Sequence, residues 1–303
     1  SCSTCASSTG GRCDVTTAKA PRVRTPSIKK ALLTGIGALV AFFFMAPYIQ
    51  MLITALSPAD QLVNVPAEYL PTRFEFSNFI TVWEEAPLWG YLKSSLIISI
   101  FATVLVLLVA LPAAYYTARY RYRGRLLFLL MVLITQMFAP TALVIGIYRE
   151  FVIIGDVFPA AGVDTYLSLI IVNAAFNLAF STWIMVAYFS TIPVELEEAA
   201  EIDGATRLGV LRRVTLPLAL PGIITATIFT FIAAWNEFVV ALTLAQSADI
   251  HPLTVGVTTF IGQYRVEWQY LFTSSLIAIV PVVILFIVIE KWLVGGLTAG
   301  SIK

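Results

Sequence analysis

Six apolar runs set the limits on this fold: Ala31–Leu56, Leu92–Ala118, Leu126–Tyr148, Tyr166–Ser190, Leu218–Ala245 and Leu271–Val294. A hydrocarbon core about 30 Å thick needs about 20 apolar residues in helical form. No water-soluble core of this size needs six such segments. Each run is expected to be a helix, because a helix satisfies every backbone polar group within the segment. The expected fold is therefore all-α, a polytopic membrane protein of about six transmembrane helices. Only 12% of the residues are charged, against about 25% in soluble domains, which agrees.

The basic residues orient these spans. Arg12, Lys19, Arg22, Arg24, Lys29 and Lys30 precede the first run. Arg119, Arg121, Arg123 and Arg125 follow the second, Arg207, Arg212 and Arg213 follow the fourth, and Lys291 and Lys303 close the chain. The opposite side holds only Arg73, Arg149 and Arg265, with Lys93 near the start of the second run. Both termini are expected in the cytoplasm. Residues 1–30 read as a disordered cytoplasmic tail rich in Ser, Thr and Gly, and residues 31–303 as the membrane domain. Cys2, Cys5 and Cys13 all lie in that tail, far from the one histidine, His251. They lack the four-ligand set of a structural zinc site, so no metal is expected. The loop Ser57–Tyr91, rich in Pro and aromatic residues, should pack on the outer face, and His251 should be a solvated loop residue.

One polar segment interrupts the apolar pattern. Glu195–Pro217 reads ELEEAAEIDGATRLGVLRRVTLP, with five acidic groups, three arginines and a central glycine. Thr191 and Pro193 are helix-start signals, and Glu195, Glu197 and Glu198 suit a positive helix N-terminus. Ile192, Leu196, Ala199 and Ile202 recur at helical spacing. Asp203-Gly204 should break the helix, with Gly204 left-handed, and a second helix should run from Thr206 to Arg213. The product is a helix–turn–helix on the cytoplasmic surface. On the residues alone it reads equally as an interfacial connector or as a docking element.

The spacing separates these two readings. Glu198-Ala199-Ala200, Gly204 and then Val214-Thr215-Leu216-Pro217 resembles the EAA loop of ABC-importer permeases, with Val214 in place of Ile. Ala234-Trp235-Asn236-Glu237-Phe238, the phrase LPTRFEFSNF and the ending Gly295–Lys303 resemble the binding-protein-dependent carbohydrate branch, of the MalG-like subunit type. The resemblance implies that Glu198, Ala199, Ala200, Asp203, Gly204, Leu216 and Pro217 form a coupling helix seated on a separate ATPase subunit. It implies that Gly300, Ser301, Ile302 and Lys303 reach the ATPase dimer, although the final residues depart from the family ending.

The implied partners are a second related permease, two ATPase copies, an extracytoplasmic solute-binding protein, the sugar itself and the lipid bilayer, with no nucleic acid. No G-x-x-x-x-G-K-[ST] phosphate loop occurs, so ATP is expected to be hydrolysed by the partner subunit. No nucleophile–base pair stands out either, so the chain is expected not to be an enzyme and to bind no cofactor. Permeases for polyamines and other small solutes share the loop, and a stand-alone carrier or channel is the rival from another class. Trp235, Asn236 and Glu237 are candidates for the translocation path or a gate. Glu237 lies inside the fifth run, where a charge should face the bundle or a cavity, and packing or gating is favoured over sugar contact. Gln136, Asn173 and Asn177 could line a cavity or bond between helices. Pro112, Pro140 and Pro281 are expected to kink their spans.

Overall fold

The computed structural model describes residues 27–64, 70–120 and 122–299. Every regular element among them is helical, apart from one isolated bridge between Ile261 and Val266. The expectations for the first 26 residues, their three cysteines and Gly300–Lys303 lie outside the described residues. The chain divides into two compact units, residues 1–49 and 50–303. The described part of the first is apolar helix, the start of α1 (Ser27–Ala55).

In the second unit, the elements are α2 (Asn78–Glu85), α3 (Leu88–Arg119), α4 (Arg125–Thr135), α5 (Pro140–Val157), α6 (Tyr166–Thr191), α7 (Glu195–Ile202), α8 (Arg207–Val210), α9 (Leu216–Leu218), α10 (Leu220–Trp235), α11 (Val239–Leu244), α12 (Leu253–Gly256) and α13 (Trp268–Ala299). α3, α6 and α10 pack on one another at its centre. Ile98, Ala102, Val106, Ala110 and Ala114 recur every fourth residue along α3 and are buried. Small residues at that spacing let membrane helices approach closely, where packing rather than hydrophobic transfer holds them together. Ser181 on α6 and Thr230 on α10 share a buried hydrogen bond of 2.7 Å.

Four runs become helices long and apolar enough to cross a membrane, and two differ from expectation. The third run is a pair, α4 and α5, bent by 94°. Ala139 is extended (φ −66°, ψ 131°) and Pro140 opens α5. A residue before proline is pushed out of the helical region, so Pro140 starts a new helix instead of kinking an existing one. α5 then continues past Tyr148 to Val157. Pro112 and Pro281 do lie inside continuous helices.

The fifth run is likewise broken. Arg207–Leu218 meets α10 at 73°, with Pro221 in the first turn of α10. α10 ends at Trp235, and the run resumes only as α11. Gln136 donates to the Phe176 carbonyl of α6 at 2.9 Å, an interhelical bond. Asn173 and Asn177 instead donate to carbonyls one turn back on their own helix.

The loop after α1 is held to the rest of its unit. Asn78 Nδ2 donates to the Ala55 carbonyl at 2.9 Å. Val82 of α2 is buried with Leu88, Phe231 and Trp235. α12 lies so close to α3 that a side chain at Gly256 would collide with the Tyr91 ring.

Candidate functional site

The polar segment folds as a helical hairpin at the end of the bundle marked by Arg119. Thr191 does not cap it. Its hydroxyl donates to the Tyr188 carbonyl and closes α6, and α7 begins at Glu195 after Val194. Thr191 is the last residue of α6, and a threonine hydroxyl within a helix bonds back to a carbonyl about one turn earlier. Gly204 holds φ +85° and has open space where a Cβ would sit, so the turn requires its backbone freedom rather than its small size. Thr206 caps the second helix, accepting from the Gly209 N–H at 3.2 Å. This helix runs further than Arg213: α8 passes through a π-turn, Leu211–Thr215, into α9.

Glu198, Ala199, Asp203, Gly204 and Pro217 are exposed, while Ala200 and Leu216 are half-buried. Leu196, Ile202 and Leu208 are exposed as well, Ile202 at 86% and Leu208 at 72%. Ile192, expected on the same apolar face, is buried beneath the hairpin. The outer surface of α7–α8 therefore presents apolar side chains beside a rim of Glu198, Glu201 and Asp203.

The residue that fixes this hairpin escaped the sequence reading. Glu197, next to the EAA triplet, is only 7% exposed. Its Oε1 accepts from Arg119 Nε at 2.9 Å and from the Thr215 hydroxyl at 2.8 Å, and lies in ion-pair contact with Arg119 Nη2 at 2.8 Å. Its Oε2 accepts from the Tyr115 hydroxyl at 3.1 Å. Arg119 Nη1 donates to the Ile192 carbonyl at 2.9 Å. The sequence signal was an acidic residue on the inner phase of an amphipathic helix, with an arginine ending an apolar run. Nothing in the sequence pairs the two. A weaker outer contact adds to this anchor, in which Arg207 donates to the Tyr120 hydroxyl at 2.8 Å and its guanidinium lies over that ring.

Trp235, Asn236 and Glu237 meet at the break in the fifth run, and Glu237 is not within a continuous helix as its place in the run suggested. Trp235 is buried, stacks on Phe231, and donates its indole N–H to the Ala278 carbonyl of α13 at 3.2 Å. Asn236 ends α10 and is exposed. The Glu237 carboxylate accepts from the Val240 and Ala241 N–H groups at 2.8 and 3.0 Å. It satisfies orphan donors in the first turn of α11. Thr254 donates to the Glu237 carbonyl at 2.8 Å, which ties α12 to the break.

Glu237 lines a cavity of about 10 Å³ with Ser95 and Asn173. The Asn173 Oδ1 is buried there without a protein partner. Sites for small organic ligands run to several hundred Å³, so this conformation leaves no room for a sugar beside Glu237.

At the bundle end opposite the hairpin, Asp164 joins the α5–α6 loop to the segment after α11. It adopts φ +64°, accepts from the Gln246 and Ser247 N–H groups at 2.7 Å each, and bonds the Ser247 hydroxyl. Burial pushes its carboxyl up, but these hydrogen bonds outweigh that and hold it below the usual carboxylate range. His251 is half-buried against Tyr91, with Nε2 3.2 Å from the Ala245 carbonyl. It packs there instead of standing in solvent, because α12 folds its segment back onto α3.

Known proteins share both the sequence and this architecture. The trehalose/maltose transport system permease protein MalG of Thermococcus litoralis is 33% identical over 281 residues, covering 91% of this chain and 98% of that protein. The diacetylchitobiose uptake system permease protein DasC of Streptomyces coelicolor is 32% identical over 257 residues, covering 85% and 91%. A crystal structure of a bacterial ABC transporter involved in the import of the acidic polysaccharide alginate matches with a TM-score of 0.71 and 26% identity, over 88% of this chain and 95% of that one. The profile of the binding-protein-dependent transport system inner membrane component matches residues 110–298. A multi-pass helical bundle carrying an EAA hairpin, matched over more than half its length, belongs to the family of binding-protein-dependent transport system inner membrane components.

Proposed function

We propose that this chain is the permease subunit of an ATP-driven importer for a carbohydrate. The observation that carries this reading is the exposed apolar surface of the α7–α8 hairpin, with Leu196, Ile202 and Leu208 turned outward on an element tied rigidly to the bundle. An exposed apolar patch rimmed by polar residues marks a protein or membrane contact surface, and the EAA spacing favours the protein. Here it receives an ATPase subunit, with Glu198, Ala199, Ala200, Asp203 and Gly204 at the contact and Leu216-Pro217 leading back into the membrane. Gly300–Lys303 adds a second contact to the ATPase dimer.

The basic residues flanking the hairpin support a cytoplasmic position for it and for both termini. ATP is bound and hydrolysed by the partner, and closure of the ATPases tilts the hairpin and switches the bundle between outward and inward access. A second related permease completes the pathway, and an extracytoplasmic binding protein delivers the solute to the opposite end. The carbohydrate assignment rests on the relatives named for trehalose/maltose and diacetylchitobiose transport and on the alginate importer. Trp235, Asn236 and Glu237 act as a gate, a reading supported by their place at a helix break and by the small cavity beside Glu237, which leaves no room for cargo.

Uptake of labelled oligosaccharides into vesicles carrying the complete complex tests this reading. Transport that needs the ATPase subunit and the binding protein is the expected result. Transport that persists without the ATPase overturns it in favour of a stand-alone carrier, and uptake of polyamines but not sugars overturns the cargo.

A further inference from the structure

We propose that Glu197 and Arg119 are positioning residues that make α3 and the α7–α9 hairpin one rigid body, so that a push on the hairpin is delivered directly to the central span α3. This rests on the docking role proposed above and adds the route by which the motion enters the bundle.

The geometry points to a joint rather than to ordinary packing. One carboxylate gathers three segments that are distant in sequence. Arg119 and Tyr115 come from the end of α3, Glu197 from α7, and Thr215 from the end of the π-turn, all within 2.8–3.1 Å. The remaining arm of Arg119 holds the Ile192 carbonyl, so the connection from α6 into α7 is fixed to α3 as well. Without these bonds the hairpin would keep the exposed Arg207–Tyr120 contact and the apolar packing of Ile192 and Leu216, which fix its angle to α3 less sharply. A buried ion pair is weak support for stability, because well-packed apolar residues do as well; its attested use is to specify one geometry. The Thr215 bond matters for the same reason. π-turns mark places where a helix can deform, and this one is pinned to the group that receives α3. Mechanical coupling requires a contiguous set of contacts between the element that is pushed and the element that moves. Beyond the joint, that set continues along the buried row Ala114, Ala110 and Val106 of α3.

The test is the double replacement Arg119→Met/Glu197→Leu, with Glu197→Gln and Thr215→Val beside it, in the complete reconstituted complex. ATPase retention, ATP hydrolysis and uptake per ATP are measured together. The apolar pair restores the packing of the site without the charge joint. The expected result is a complex that keeps its ATPase and hydrolyses ATP, while uptake per ATP falls at least fivefold, the lower end of typical coupling between sites. Thr215→Val falls about twofold, as loss of one bond to the joint. If the double variant restores wild-type uptake per ATP, the pair is merely structural and the proposal is overturned. If Glu197→Gln fails to assemble, Thr215→Val decides: unchanged uptake per ATP in that variant also overturns it. Loss of uptake in strict proportion to lost ATPase would assign Glu197 to docking and overturn the joint. Failure of the docking reading itself shows elsewhere, as an Ile202→Asp variant that still holds its ATPase.

Discussion

Glu197 and Glu237 are two carboxylates set against the same apolar bundle, and the chain neutralises them by different means. Glu197 is held by a full countercharge and two hydroxyls from two other segments, the end of α3 and the end of the π-turn. Glu237 is held by backbone N–H groups three and four residues ahead of it. The first arrangement is long-range and binds elements together. The second is local and lets a helix stop and restart in the middle of an apolar run. A membrane protein can thus use a buried carboxylate as a brace or as a hinge, and the partner decides which.

Breaking the brace has the largest expected effect. Arg119→Met leaves Glu197 buried and unpaired and should cost about 3–5 kcal/mol. Thermal unfolding in detergent or lipid would measure it, and restoring most of that loss with Glu197→Leu would identify the orphaned charge as its cause. Gly204→Ala comes next. Its φ of +85° makes a Cβ cost about 1–2 kcal/mol, and co-purification of the ATPase should weaken as α7 and α8 change their angle. Asn at the same position should recover part of both, since it tolerates that conformation.

Glu237→Ala removes the acceptors for α11 and should cost about 0.5–2 kcal/mol. Glu237→Gln should cost less and leave substrate preference unchanged; altered preference would place this side chain on the sugar. Ile202→Asp should leave stability within about 0.5 kcal/mol yet release the ATPase, which separates the hairpin's outer surface from its inner brace. The smallest effect belongs to Asp164. Its carboxyl titrates below the usual value of about 3.9, so its contribution is complete above that pH and fades as pH falls towards the lower, folded-state value. Asp164→Asn should therefore lower the unfolding temperature near neutral pH, by an amount that shrinks below about pH 4.

Much of this architecture was legible in the residues. The ends of the four continuous helices lie within a few residues of the apolar runs, because composition alone decides where a chain can sit in lipid. Gly204 was readable because a positive φ at a helix end is a local event. The breaks were not. Gln136 and the pair Asn236-Glu237 interrupt the third and fifth apolar runs too briefly to end them, so hydropathy reported one span where the backbone makes two helices. Pro140 was visible, but whether a proline kinks a helix or begins one depends on partners for the freed backbone groups that lie far away in sequence. Glu197 was hidden for a further reason. Its meaning lies in Arg119, seventy-eight residues earlier, and the motif drew the eye to Glu198 beside it.

The π-turn Leu211–Thr215 has a consequence for length. An i→i+5 turn holds one residue more than the α-turn it replaces. Straightening it to α geometry would release about 1.5 Å of axial travel and about 100° of rotation to everything beyond Leu216. The Thr215–Glu197 bond holds that residue of slack closed, and only its loss would let the hairpin turn on α10 by that amount without stretching the chain on either side.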